Sequence, residues 1–214
     1  MRKSKAEKAE TRKHIVDTAA RMFKEGGVGA TGVGEIMVAA GMTHSAFYRH
    51  FASKEELLAE ASAASMEVFV DAARKAAEAG PEAFVQYLED YLSPEYRNDQ
   101  MGGCPVVQMG SELARADSAT REGVSDGLTQ LHAFAVGLTD GSVEAEEETV
   151  RIMSMITGAI VISRLVNDRV LGEHFLDVIR RSLPKSTTAT VSRGKPKKAR
   201  TPSASKAQSV HEAA

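Results

Sequence analysis

The chain has 214 residues, one cysteine, no tryptophan and a formal net charge of −2. A single thiol excludes an internal disulfide framework and a cysteine-based zinc cluster, and it predicts a reducing, cytoplasmic compartment. The longest apolar stretch, around Ile152 to Val166, is interrupted by Ser154, Thr157, Ser163 and Arg164 and is too short and too polar to span a bilayer. The N-terminal run MRKSKAEKAETRKH is charged without an apolar core, which reads against a secretory signal peptide.

Charge is unevenly spread: residues 1–60 carry +2, residues 61–184 carry −10 and residues 185–214 carry +6. A nucleic-acid surface therefore belongs at the N-terminal end, with the acidic middle turned away from phosphates. No segment sustains strand alternation, so the expected class is all-α. Residues 1–9 read as a basic arm, and Lys3, Lys5, Lys8, Arg12 and Lys13 are candidates for counterion-releasing phosphate contacts. A first helix is predicted from Glu10 to Lys24, with Ile15, Ala19, Met22 and Phe23 as its buried stripe and Gly26-Gly27 as its stop.

The run from Thr31 to Leu58 is the most informative part of the chain. Val33, Ile36, Met37 and Ala40 place one apolar face on a short helix. Gly41 closes that helix in the left-handed conformation, and Thr43 is positioned to cap the next one. In that next helix Phe47 and Phe51 fall on the buried side, while His44, Ser45, Tyr48 and Arg49 fall on the other. Hydroxyls, an imidazole and a guanidinium on a short projecting helix are suited to phosphates and base edges in a major groove. Ser53 and Glu56 form a capping-box pattern for the helix that follows.

The rest of the chain reads as further helices. A long one is expected from Lys54 to Ala79, then one from Pro81 to Leu92, with Ser93-Pro94 as a break. Helices to about Ala116, from Ser118 to Leu138, and from Val143 to Asn167 follow. The last of these opens with glutamates that favour a helix N-terminus and then turns apolar nearly all round. A final amphipathic helix carries Phe175, Leu176, Val178, Ile179 and Leu183 and stops at Pro184. Beyond it, residues 185–214 are rich in Ser, Thr, Lys, Pro and Ala and read as a disordered basic tail.

Gly41, Thr43, Phe47-Tyr48-Arg49-His50-Phe51 and Ser53-Lys54-Glu55 together resemble the DNA-binding domain of the TetR family of bacterial transcriptional regulators. The resemblance implies a three-helix helix-turn-helix domain over residues 10–60 and a helical effector-binding and dimerisation domain over residues 61–184. It implies that Thr31 caps the second helix near a phosphate, and that Thr43 and Tyr48 contact the DNA backbone. His44, Ser45 and Arg49 would face base edges or backbone, with Gly32, His50 and Lys54 flanking. Three positions depart from the family pattern. Gly32 stands where Ser or Thr is frequent, His44 where Lys is common, and Met37 where Ala is usual. The imidazole of His44 replaces a fixed charge, so binding is expected to be mildly pH-sensitive below neutrality.

The resemblance further implies a homodimer that binds a palindromic double-stranded operator and is released by a small apolar or mixed-polarity effector. Met66, Phe69, Tyr87, Tyr91, Cys104, Met109 and Phe134 are candidate pocket residues, since methionine and aromatic side chains adapt to such ligands. The last two helices would pair with those of a second copy, through Ile152, Met155, Ile156, Ile160, Phe175 and Ile179. An alternative is a redox-responsive regulator in which Cys104, near a helix N-terminus, has a lowered pKa and is the switch. No phosphate loop, metal-ligand spacing or local nucleophile motif is present in the sequence, so neither enzymatic activity nor a cofactor or metal is expected.

Overall fold

The computed structural model describes residues 4–98 and 103–184; the basic tail expected over 185–214 lies outside them. The described residues form nine α-helices and one short 3-10 helix, with no strand among them. Helix α1 (Lys5–Gly26) starts five residues earlier than its apolar stripe predicts. Ser4 and Glu7 form a capping box: the Ser4 hydroxyl accepts from the Glu7 N–H at 3.1 Å, and the Glu7 carboxylate accepts from the Ser4 N–H. That signal lies within a run of charges and carries no periodicity.

Helix α2 (Val33–Ala39) ends at Gly41, which takes φ 71°, and a 3-10 helix (His44–Arg49) follows. Three helical segments close around Ile15, Ala19, Phe23, Ile36, Met37, Phe47, Phe51 and Leu57, each at most 2% exposed. Burying each large side chain among them contributes roughly 1.5–3 kcal/mol. Met37, larger than the alanine of the family pattern, is fully buried in this core.

Helix α3 (Lys54–Glu78) leaves the N-terminal unit and enters the second one. Its cap is shifted from the expected pattern. Ser53 accepts from the Glu56 N–H at 3.2 Å, but the Glu56 carboxylate accepts from Ala52 N–H at 2.6 Å rather than from Ser53 itself. Arg12 crosses from α1 to the same region. Its guanidinium meets Glu56 at 2.7 Å, donates to Glu60 through Nε at 3.0 Å and through a second contact, and lies 4.0 Å from the centre of the Phe51 ring. Arg12 is thus a lock between helices and not the free phosphate-binding cation expected from the sequence.

The body comprises α4 (Pro81–Tyr91), α5 (Pro94–Asn98), α6 (Pro105–Leu113), α7 (Ser118–Gly137), α8 (Val143–Leu165) and α9 (Arg169–Ser182). Ser93-Pro94 ends α4 where the sequence places the break, and Pro94 then opens α5, where the Ser93 hydroxyl accepts the Tyr96 N–H at 3.1 Å. Arg97 on α5 donates to the carbonyls of Ser163 (2.8 Å) and Val166 (3.3 Å), so a guanidinium satisfies the C-terminal carbonyls of α8. Arg164 returns the contact by donating to the carbonyls of Tyr96 and Arg97.

The tightest seam runs between α3 and α7. A Cβ placed on Gly127 would lie 2.6 Å from the Cβ of Met66, and one on Gly123 would lie 3.0 Å from that of Ala63. Only glycine permits the two backbones to approach so closely. Ser62, Ser65 and Thr120 are also buried along these two helices, and their hydroxyls find no hydrogen-bond partner among the described residues.

Candidate nucleic-acid interface and internal cavity

The outer side of the 3-10 helix carries Thr43, His44, Ser45, Tyr48 and Arg49, all exposed, in a projecting row. Phe47 and Phe51 stack behind it with ring centres 5.6 Å apart and anchor the row to the core. Tyr48 is 68% exposed, and Phe47 meets its ring edge-on at 5.3 Å, which steers the phenol outward. Thr43 makes no side-chain cap; its hydroxyl lies 3.2 Å from that of Ser45, and both stay on the surface. The chemistry assembled here is a set of donors and acceptors with one cation, a suitable reader of phosphate oxygens and base edges. His50 is half-buried, with its ring 6.5 Å from that of Phe51.

Two expected positions, Thr31 and Lys54, fall elsewhere. Thr31 is only 5% exposed, and its hydroxyl is turned inward to the carbonyls of Gly27 (2.7 Å) and Met22 (3.3 Å). The N-cap of α2 is Gly32 instead; its N–H donates to the Glu35 carboxylate at 2.9 Å. A threonine hydroxyl spent on the preceding loop cannot also reach a phosphate. Lys54 donates to the carbonyl of Val28 at 2.6 Å with its ammonium 5.9 Å from the Phe23 ring centre, so it secures the same loop.

Glu112 escaped sequence reasoning. Its carboxylate accepts from the Gly29 N–H at 3.0 Å and joins the end of α6 to the loop between α1 and α2. The two residues are 83 positions apart, and no local signal in the sequence could pair them.

The body encloses a cavity of about 660 Å³. Phe69, Tyr87, Tyr91, Cys104 and Phe134 line it, as the sequence reading expects. Met66 and Met109 do not: both are at most 2% exposed and pack in the core, Met66 beneath Gly127. Ile152 and Ile156, expected at an interface between copies, line the cavity, and Ile160 has no exposed surface at all. An α8 that is apolar nearly all round hides which side faces inward. Met155, Phe175 and Ile179 are half-buried. The exposed apolar side chains of α8 and α9 are Val143, Val150, Ile162, Leu165, Val170, Leu171 and Val178.

Burial pushes the Tyr87 and Tyr91 hydroxyls well above the ordinary phenol range and raises Tyr96 to about 12. The Tyr91 hydroxyl neighbours that of Tyr96 without meeting it in hydrogen-bond geometry. The Tyr96 oxygen instead accepts from the Cys104 N–H at 3.1 Å. Cys104 is the N-cap residue of α6, but burial outweighs the backbone N–H groups of Val106 and Val107 and pushes its thiol up. The lowered pKa expected of a redox switch is therefore absent, and the thiol is a buried, protonated wall of the cavity.

Among the described residues no group of His, Cys, Asp and Glu is arranged to hold a metal, and no helix is long and apolar enough to cross a membrane. A family model described as "Bacterial regulatory proteins, tetR family" matches residues 15–61. The HTH-type transcriptional regulator AcrR of Shigella flexneri is 51% identical over 59 residues, 28% of this chain and 27% of that protein. The HTH-type transcriptional repressor BepR of Brucella suis is 38% identical over 78 residues, 35% of this chain and 37% of that protein. These sequence matches thus span well under half of either curated relative. The fold extends further. Crystal structures of reduced NemR from E. coli (TM-score 0.68, 17% identity, 80% of this chain and 96% of that one) and of a TetR-family regulator from Cytophaga hutchinsonii (TM-score 0.68, 18% identity, 85% and 96%) are similar through both units.

Proposed function

We propose that this chain, whose residues 15–61 match the tetR family of bacterial regulatory proteins, acts as a homodimeric repressor of that family, released from a palindromic operator by a small molecule taken into the cavity. The exposed row Thr43, His44, Ser45, Tyr48 and Arg49, held rigid by the Phe47–Phe51 stack, carries the DNA-binding half of the reading. Tyr48 and Thr43 contact phosphates; His44, Ser45 and Arg49 meet base edges. The acidic body faces away from the duplex.

Dimerisation places the outward sides of α8 and α9 against those of a second copy. Leu165 is 76% exposed and Ile162 42% on α8, and Leu171 and Val178 are exposed on α9, which packs against it. Gly158 on the same helix has open space where a Cβ would stand, so a second helix can come close. This face replaces Ile152, Ile156 and Ile160, which belong to the interior. A Leu165→Glu variant is expected to sediment as a monomer.

Release works through geometry. Half-sites lie roughly 34–36 Å apart, and a dimer with altered spacing loses one of them. Cys104 touches the cavity at one end of α6, and Glu112 bonds the DNA-binding unit at the other. A molecule that displaces the first end shifts the second.

The test is selection of binding sites from a random duplex library by the full-length protein at near-physiological salt, where non-specific affinity is suppressed. Recovery of an inverted repeat is the expected result. Enrichment of a single half-site would reject the dimeric reading, and enrichment of nothing by a folded dimer would reject the DNA-binding reading.

A further inference from the structure

We propose that the cavity selects an uncharged, flat aromatic molecule and rejects its charged analogues; this inference rests on the reading of the cavity as an effector site. Its volume, about 660 Å³, falls within the range of small-molecule sites. One face of α4 supplies three rings at helical spacing, Phe84, Tyr87 and Tyr91. Their planes are within 17° and 10° of one another in sequence, with centres 6.3 and 6.5 Å apart. Phe134 of α7 closes on Phe84 edge-on, at 85°. A flat ring system finds both faces and edges to pack against here.

Charge selectivity follows from what the lining lacks. Its four charged side chains are Glu89, Glu148, Arg180 and Arg181. Glu89 and Arg181 are exposed at the rim. Glu148 is paired with Arg151 at 2.8 Å, and Arg180 with Asp177 at 3.2 Å and the Leu92 carbonyl at 2.9 Å. Two signs are present in equal number, and each half-buried charge already faces an opposite one, although the Arg180 Nε is buried without a hydrogen-bond partner among the described residues, which makes the carboxylate probe the stricter arm of the test. The aromatic wall holds only neutral polar groups, because burial keeps Tyr87, Tyr91 and the Cys104 thiol protonated. An ion entering this wall loses its hydration and gains no counter-charge.

A matched series tests the idea: 9-anthracenemethanol, anthracene-9-carboxylate and 9-anthracenemethylammonium, each titrated with the full-length protein by fluorescence anisotropy. The chain has no tryptophan to interfere. The alcohol is expected to bind about tenfold tighter, or more, than either ion. Tyr87→Leu, with an unchanged melting temperature, is expected to weaken the alcohol about fivefold and to leave the ions unchanged. Should Tyr87→Leu fail to fold, Phe134→Leu serves the same purpose on the opposite wall. Equal or tighter binding of an ion overturns the charge selectivity while leaving the cavity as an effector site. Binding that ignores the ring substitutions overturns the location. No binding of any probe by a folded protein overturns the cavity reading itself, and this proposal with it.

Discussion

In the N-terminal unit the helices are tied across their gaps by long charged side chains, whereas the body adds to arginine ties of its own (Arg97, Arg164 and Arg180) a long seam where two helices meet backbone against backbone. Arg12 reaches from α1 to Glu56 and Glu60, Lys54 reaches back to Val28, and Glu56 caps α3 while holding Arg12. The α3–α7 seam is instead built on absence of side chain, at Gly123 and Gly127. Polar ties can be lost singly, with solvent taking up the partners. A close backbone approach has no such reserve. The unit that must present a fixed surface to DNA is therefore braced by several modest bonds, and the unit that surrounds a cavity depends on a few positions admitting no addition.

The sharpest way to break this contrast is to add carbon at the seam. Gly127→Leu forces its side chain into Met66, and overpacking of this kind costs roughly 1–3 kcal/mol or more. Urea unfolding should place Gly127→Leu at the upper end of that range, with the loss concentrated in the body when amide exchange is followed residue by residue. A loss well under 1 kcal/mol would mean that α3 and α7 separate easily, and the contrast would fail. Next in size is Tyr48→Ala. Removing an exposed phosphate contact should weaken binding by roughly 1–3 kcal/mol on specific and random duplexes alike, with stability unchanged. Ser45 and Arg49 substitutions should alter sequence preference more than affinity. Equal losses for all three on both duplexes would displace the reading face from this row.

The same contrast explains what could be read from the sequence. The helix-turn-helix is local: Gly41, Thr43, Phe47, Tyr48, Phe51 and Ser53 lie within a few turns of one another, and spacing alone sorts buried from exposed. Its two failures, Thr31 and Lys54, are polar residues whose partners are backbone carbonyls in the preceding loop, and a pattern of residue types does not record carbonyl directions. In the body, Phe69, Tyr87, Tyr91 and Phe134 were identifiable as cavity residues because aromatic side chains are few. The direction of α8 was not. Ile152, Ile156 and Ile160 look inward, and Ile162 and Leu165 outward, yet all are apolar, so periodicity gives no preferred face. Gly123 and Gly127 likewise carry no sequence signal of the helix they meet. Loop residues of the N-terminal unit touching α6 through Glu112 are beyond any local reading.

A gentler test separates the polar lock from the core behind it. Arg12→Met keeps a long side chain over Phe51 but leaves Glu56 and Glu60 without their cation. The three side chains are 30–41% exposed, so solvent screens much of the interaction, and the expected loss is about 1 kcal/mol. Urea unfolding of Arg12→Met against the Glu60→Gln variant and the double variant measures the coupling. Additive losses would show that the lock contributes nothing beyond its separate packing terms.

The smallest effect concerns pH, and it compares the two units directly. The Ala52 N–H and then Arg12 hold the Glu56 carboxylate below its ordinary value of 4.5. In the body the N–H groups of Thr120 and Ser142 hold Asp117 and Asp140 below their ordinary 3.8. A carboxyl whose pKa is depressed by folding adds stability that is complete above its unfolded value and disappears as pH falls through the folded one. Both units should thus be insensitive to these groups from neutrality down to about pH 5, and lose stability below about pH 4. Loss of the Glu56 charge releases two contacts at once, the α3 cap and the Arg12 lock, whereas Asp117 and Asp140 each secure one helix start. Below about pH 4 amide exchange at Ala52 should therefore lose more protection than exchange at Thr120. Glu56→Gln should remove most of that difference, because the amide retains the acceptor and loses the charge. If Ala52 loses no more protection than Thr120 in the parent protein, the N-terminal unit gains nothing from sharing one carboxylate between its cap and its lock.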